Sequence, residues 1–250
     1  MTNVSYQTAE LARYFAGHRD KWTDFYPSER WMIERIAEES NGLGRVLDVG
    51  CAAGGLGRAL ASRGLLKSYA GIDINRPVID AATRAGAFLR SGVRFECGDI
   101  LRSKAFRGES FDTVFNLSCA DWNVETSRII GASWRKVAPG GRLVISLRLT
   151  PGRGLNDIRK SYQPITGSGR LTGREERANY AVFNVREALH LFDELPGAGR
   201  LLGYGYWGKP SRTAVTPYRE LVFAVFALQK GKEDRTTPSM ELRLPRSLFI

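Results

Sequence analysis

The segment Val46-Leu47-Asp48-Val49-Gly50-Cys51-Ala52-Ala53-Gly54-Gly55 constrains the fold more than any other stretch of the chain. Arg45–Val49 reads as a short buried strand, and Leu56–Ser62 carries apolar residues at helical spacing. Between them the chain turns on glycine and alanine alone, so strand and helix must meet at a tight corner. The alternation then repeats. Ser68–Ile74 reads as a second strand, and Pro77 suits the first turn of a helix running to about Leu89. Val93–Glu96 and Phe111–Leu117 read as the third and fourth strands. Ser127–Lys136 reads as a helix with Ile129, Ile130 and Trp134 on one side. A Pro139-Gly140-Gly141 turn leads into a fifth strand, Arg142–Leu149. Parallel neighbours need crossover helices, so this pattern predicts an α/β fold with helices on both faces.

The flanks modify that core. Residues 1–42 read as helical and aromatic, with Ser28 as the expected N-cap. Met32, Ile33, Ile36 and Ala37 make an apolar stripe, and Asn41-Gly42 ends the helix. Pro151–Arg177 breaks the alternation with five glycines and six basic residues, which predicts a long, mobile, basic insertion. A strand at Tyr180–Phe183 and a helix at Val185–Leu195 follow. Leu201–Trp207 and Tyr218–Gln229 read as strands joined by a hairpin-like loop, which predicts an antiparallel edge. The tail carries Leu242, Leu244, Leu248 and Phe249, fit to dock on the domain or to pair with another chain. The expected architecture is a doubly wound, mostly parallel seven-stranded sheet with an antiparallel edge strand, an N-terminal helical lid and an insertion after strand five. The expected segments are a cap (1–42), a core (43–150), a basic glycine-rich insertion (151–183), the completion of the sheet (184–230) and a tail (231–250).

Composition narrows the function classes. Three cysteines without CxxC spacing and two histidines argue against a structural zinc site or a disulfide framework. The polar N-terminus lacks a secretion segment, and the most apolar run, Leu221–Leu228, is too short to span a membrane. The expected location is the cytoplasm. A net charge of +11 favours an anionic partner, and nucleic acid stays open as one. No run of more than two consecutive Lys/Arg occurs, so a solvated arginine-rich surface is the simpler reading.

The glycine turn is the candidate ligand site, since open α/β sheets bind ligands at the carboxyl ends of their strands. A dinucleotide fingerprint needs G-x-G-x-x-G, and here the positions are Gly50, Ala52 and Gly55. The middle glycine, which admits a pyrophosphate, is missing. The segment instead resembles motif I of the class I S-adenosylmethionine (SAM)-dependent methyltransferases, usually (V/I)LDxGCGxG. Four further stretches resemble later motifs of that family, in order. They are Gly71-Ile72-Asp73-Ile74, Cys97-Gly98-Asp99-Ile100, Phe111-Asp112-Thr113-Val114-Phe115-Asn116 and Val137-Ala138-Pro139-Gly140-Gly141-Arg142-Leu143. Together they span residues 45–149.

The resemblance implies SAM as cofactor and assigns its contacts. Asp48 orders the turn near the methionine amino group. Gly50, Cys51, Ala52 and Gly54 carry the backbone beneath the cofactor. Asp73 accepts from the ribose hydroxyls, Ile74 packs on the adenine, and Asp99 accepts from the adenine amino group beside Ile100. Asn116 lies near the methionine end. Ala52 replaces the family's usual glycine.

Methyl transfer needs alignment and exclusion of water, and a base only when the acceptor must lose a proton. His18 and Asp121 are the candidate bases, and Tyr26 and Trp122 the candidate acceptor-side aromatics. Tyr14, His18, Trp22, Tyr26 and Trp31 form either a lid or an aromatic-packed helix. His190 sits on an apolar helix and reads as structural. Ser118-Cys119-Ala120-Asp121-Trp122 lacks the Pro-Pro-Tyr/Phe and Pro-Cys signatures of base methylation, so Cys119 is a poor covalent catalyst. The expected acceptor is a small molecule, with an anionic sugar or metabolite as candidate. RNA or protein methylation, or a non-catalytic SAM-binding subunit, are the alternatives. No metal is expected, and the oligomeric state stays open.

Overall fold

A computed structural model describes residues 19–85, 92–166, 171–232 and 238–249. The chain runs α1 (Pro27–Ser40), β1 (Arg45–Val49), α2 (Gly55–Ala61), β2 (Ser68–Asp73), α3 (Arg76–Arg84), β3 (Val93–Cys97) and β4 (Phe111–Asn116). It continues with α4 (Thr126–Arg135), β5 (Val137–Thr150), β6 (Tyr162–Pro164), β7 (Arg177–Asn179), β8 (Phe183–Asn184) and α5 (Val185–Asp193). β9 (Ala198–Gly208), β10 (Leu221–Lys230) and β11 (Ser239–Arg243) complete it.

The main sheet follows the order β11-β9-β10-β5-β4-β1-β2-β3, with β8 pairing the end of β5. β1, β2, β3, β4 and β5 pair in parallel. β10 runs antiparallel to both β5 and β9. The doubly wound, mostly parallel sheet with an antiparallel strand toward one edge is therefore as the sequence predicts. Its size is not: among the described residues the sheet has nine strands rather than seven. The additions are β8 and β11, and β11 is built from the tail, which pairs in parallel with β9.

Apolar layers fill both faces. On one, Met32, Ile33 and Ile36 of α1 and Leu56 and Leu60 of α2 pack with Val46, Phe115, Val144 and Val225. On the other, Ile129, Ile130 and Trp134 of α4 and Phe192 of α5 pack with Leu47, Val114, Ile145 and Phe226. Each such burial contributes about 1.5–3 kcal/mol. The strands read as nearly unbroken apolar runs because both faces are covered.

Local details depart from the sequence reading in instructive ways. Helix α1 starts on Pro27 rather than after Ser28, because Pro27 suits the first helical position and the Glu29 carboxylate takes the Tyr26 N–H at 3.0 Å. Pro139–Gly141 is not a free turn. Val137 already pairs with Phe111, and Arg142 resumes with Thr113, so residues 138–141 bulge within β5.

The insertion is not an unstructured loop. β6 and β7 pair antiparallel, Ser161, Gln163, Ile165, Ala178 and Asn179 are buried, and Tyr162 bridges Val215 in the β9–β10 connection. The strand expected at Tyr180–Phe183 falls between β7 and β8: only Phe183 belongs to a strand, and Val182 is bridged to Leu155. The basic character is real but faces outward, since Arg153, Arg159, Lys160, Arg174 and Arg177 are exposed. Among the described residues, no helix is long and apolar enough to cross a membrane.

Candidate cofactor and acceptor sites

The turn after β1 is locked by its own backbone. The N–H groups of Gly50 and Cys51 both donate to the Ile72 carbonyl, at 2.8 and 3.2 Å, which ties the turn to the end of β2. The Ala52 N–H donates to Asp73 Oδ2 at 2.9 Å, and the Asn75 N–H to Asp73 Oδ1 at 2.9 Å. Ala52 has φ 45, a left-handed conformation in which an L-residue is strained. That is the physical reason glycine suits the position. At Gly50 (φ 76) a Cβ would also lie 2.6 Å from Cys119 Sγ.

A cavity of about 350 Å³ lies over this turn. Asp48, Gly50, Cys51, Ala52, Tyr26 and Trp122 line it, so the structure brings these sequence-chosen residues together. It adds Arg19, Phe25, Arg58, Leu117 and Ser118, which the sequence reading missed. Arg19 is anchored by Ser118 Oγ at 2.8 Å and Glu29 Oε2 at 2.9 Å, and its guanidinium lies 4.7 Å from the centre of the Phe25 ring. Ser118 has φ 50, a second non-glycine residue in the left-handed region at the wall of the same cavity. Such strain clusters at functional sites.

Asp48 is buried, and Tyr69 donates its hydroxyl to Asp48 Oδ2 at 2.6 Å. Burial pushes the carboxyl up to about 6, against the lowering effect of that bond. The Cys51 and Cys119 thiols are driven well upward by burial, which keeps them protonated and unreactive.

The remaining cofactor candidates lie outside this cavity, at the carboxyl ends of the next strands. Asp73 is half-buried, and its oxygens accept the Ala52 and Asn75 N–H groups, with that of Ile74 also close by. Ile74 packs beside Ile165, Ala178 and Trp122, under the insertion. Asp99 Oδ1 accepts from the Leu101 N–H at 2.9 Å, and Ile100 packs against the main core. Gly54 supplies a left-handed residue (φ 79) at the start of α2. Asn116 is fully buried, with Nδ2 donating to Ser133 Oγ and Oδ1 accepting from the Ala120 N–H. It pins the Ala120–Trp122 turn and does not line the cavity. His18 and Tyr14 lie outside the described residues.

A second chamber of about 110 Å³ shares Tyr26, Ser118 and Trp122 with the first. Asp121, Arg148, Tyr180 and Phe223 close it. Asp121 and Arg148 form an ion pair at 3.1 Å with both side chains buried. Asp121 Oδ1 is buried without a hydrogen-bond partner. Burial pushes the Asp121 carboxyl up to about 6, with the Arg148 charge opposing. The Tyr26 phenol is pushed up to about 12 by burial and by Glu29. The insertion roofs this chamber. Ala181 N–H donates to the Asp121 carbonyl at 2.9 Å, and Asn179 Nδ2 to the Asn123 carbonyl at 3.0 Å. Trp31 is not part of a lid; it stacks on Tyr204 of β9 at 4.5 Å. His190 is exposed, within 3.5 Å of Glu194.

Residues 47–145 match the family described as Methyltransferase domain. Over 195 residues the chain is 31% identical to a ubiquinone biosynthesis O-methyltransferase of Pseudomonas fluorescens (strain Pf0-1), covering 66% of this chain and 80% of that one. The chain belongs to the class I SAM-dependent methyltransferases. The fold of this methyltransferase is shared by a SAM-dependent methyltransferase of Clostridium acetobutylicum, with TM-score 0.56 at 13% identity over 87% of this chain and 98% of that one. It is shared too by the N-methyltransferase NodS of Bradyrhizobium japonicum bound to S-adenosylhomocysteine, with TM-score 0.50 at 18% identity over 88% and 98%. The methyltransferase uses SAM, and the donor set fits it: a buried carboxylate and an arginine face a narrow cavity over a backbone turn.

Proposed function

We propose that this methyltransferase transfers a methyl group to a hydroxyl of an uncharged small molecule, with Asp121 as the acceptor-side base. The observation that carries the reading is the buried Asp121 Oδ1, which has no hydrogen-bond partner, on a residue lining a chamber that shares Tyr26, Ser118 and Trp122 with the cofactor cavity. A carboxylate that titrates near 6 is ionised at neutral pH and can take a proton from an acceptor O–H. The likeness to O-methyltransferases of ubiquinone biosynthesis supports oxygen as the accepting atom.

Bound SAM supplies an electrophilic methyl group on a sulfonium. Asp48 would face the ammonium of its methionine part, and Arg19 the carboxylate. Gly50, Cys51, Ala52 and Gly54 would carry the backbone beneath it. Asp73 would take the ribose hydroxyls, Ile74 the adenine face and Asp99 the adenine amino group beside Ile100. Tyr26 and Trp122, shared by both chambers, would hold the acceptor oxygen in line and exclude water.

The charge pattern favours an uncharged acceptor over an anionic one. Arg148, the cation of the chamber, is already neutralised by Asp121, and the described basic side chains of the insertion point to solvent. The test is label transfer from SAM into a low-molecular-mass metabolite filtrate, followed by mass spectrometry. Asp121→Asn should lower kcat by about 10²–10⁴ while S-adenosylhomocysteine binding holds within about twofold. Full activity in Asp121→Asn, or label found only on RNA or protein, would overturn the reading.

A further inference from the structure

Arg148 stands in the middle of an apolar strand, between Leu147 and Leu149, both of which are buried in the core. Its face of β5 also carries Ser146, whose hydroxyl accepts the Ser118 N–H at 2.7 Å. Two successive same-face positions of β5 therefore hold the Ser118–Asp121 segment, one through a hydroxyl and one through a guanidinium. The guanidinium carbon lies 3.6 Å from the centre of the Tyr180 ring and 5.5 Å from that of Trp122. Nη1 reaches the Ala181 carbonyl at 3.3 Å, and Nη2 the Asp121 carboxylate at 3.1 Å. Phe223, opposite Arg148 in the β10 register, completes the surround.

We infer that Arg148 is a positioning residue: clamped between Asp121 and the Tyr180 ring, it occupies Oδ2, leaves Oδ1 for the acceptor, and ties the base to the insertion. The inference rests on the reading of Asp121 as the acceptor-side base. Stability alone does not call for the pair, because apolar residues of similar volume replace buried ion pairs at little or no cost. Arginine specifically fits, since its planar guanidinium stacks on an aromatic face while its edge binds a carboxylate. Three elements distant in sequence thus share one cation: β5, the Ala120–Trp122 turn and the insertion.

Other charged and titratable groups face Asp121 and set its background. Arg19 and Glu29 act from the N-terminal side with opposite signs, and Tyr26 and Tyr180 stand at the chamber wall. Arg148 is the partner in contact, so its removal should dominate.

The experiment uses the full chain labelled with ¹³C at aspartate carboxyl carbons. The Asp121 resonance is assigned by its absence in Asp121→Asn. In Arg148→Met the Asp121 titration midpoint should rise by about one unit or more, and Arg148→Lys should restore most of it. The acid limb of label transfer from SAM into the metabolite filtrate should move upward with it. At about pH 6 a rise of about one unit means roughly a fivefold loss in transfer rate, with S-adenosylhomocysteine affinity unchanged. An Asp121 midpoint that does not move in folded Arg148→Met overturns the inference. Should Arg148→Met fail to fold, Tyr180→Leu serves: it should broaden the Asp121 resonance and raise the acceptor KM, and a wild-type spectrum and KM would overturn the inference. No label transfer by the wild type at any pH would remove the parent reading, while the carboxyl titration still decides whether Arg148 holds Asp121.

Discussion

Asp48→Asn separates what the glycine turn costs from what it does. The Asp48 carboxyl is buried and bonded to Tyr69, and burial raises it from 3.8 to about 6. A rise of about two units is worth about 3 kcal/mol. Between those two values the folded chain keeps a proton that the unfolded chain has released. Stability therefore falls as pH rises through this window, and it stays lower above the folded value. Asparagine has nearly the same shape, is neutral at every pH, and still offers Oδ1 to the Tyr69 hydroxyl. At about pH 8 the variant should thus be more stable than the wild type by up to about 3 kcal/mol, and the gain should shrink toward zero by about pH 4. Urea unfolding at the two pH values reads this difference directly. Calorimetry with S-adenosylhomocysteine should show a loss of about tenfold or more in affinity, because a charge-assisted bond to the ligand ammonium is gone. A stability difference independent of pH would refute the electrostatic argument. Unchanged affinity would refute the assignment of Asp48 to the ammonium.

Three further perturbations probe the same construction. Gly55→Ala should strengthen an isolated helix by up to about 1 kcal/mol, yet its Cβ would lie 2.0 Å from the Arg19 carbonyl oxygen. It should displace the Arg19 segment and weaken S-adenosylhomocysteine binding about tenfold by calorimetry, and an unchanged affinity would contradict the placement of Arg19. Ala52→Gly relieves the left-handed strain at φ 45 and should leave affinity intact while raising denaturant stability by up to about 1 kcal/mol. A loss of stability there would show that the Ala52 methyl contributes packing. Removing residues 238–250 deletes β11 and the residue after it, so that Leu242 and Leu244 no longer sit against Gly203 and Gly205. The uncovered β9 edge should lower the melting temperature and promote association, visible in calorimetry and light scattering.

The cofactor half of the molecule was legible because its signals are local. Strand, turn and helix around Gly50 lie within one stretch of sequence, and Asp48 and Asp73 stand at the ends of neighbouring parallel strands. The strand count was harder. β8 has two residues and β11 follows a polar linker, so neither carries a periodic pattern. Pro139-Gly140-Gly141 looked like a turn because its residues are turn formers, yet pairing of Val137 with Phe111 across the sheet keeps them inside a bulged strand. The insertion looked irregular because its buried residues, such as Ser161, Gln163 and Asn179, are polar and find partners such as the Tyr180 carbonyl, Thr213 and the Asn123 carbonyl only after the chain has folded back. The partners of Asn116 were hidden for a related reason. Strand-end position says where a residue is, and only the partners Ser133 and Ala120 reveal that its amide is already spent.

The acceptor half was legible only in part: Asp121 and Trp122 are adjacent in sequence, but Arg148 and Tyr180, which line the same chamber, lie far from them along the chain. Asp121 and Arg148 are 27 residues apart, and Arg148 and Ala181 are 33 apart. Each alone invites a bland reading: an acidic turn residue, an arginine in a strand, a tyrosine in a loop. Their meaning comes from burial. An unpaired arginine in the middle of β5 would cost several kcal/mol, so its presence demands a counter-charge, and Asp121 is the carboxylate in reach. Arg148 pairs with Oδ2, the insertion donates to the Asp121 carbonyl, and Oδ1 is left without a partner on a residue that lines the chamber beside the cofactor cavity. A buried carboxylate oxygen without a partner is costly unless a ligand supplies one. On the proposed reading, an acceptor O–H supplies the missing partner.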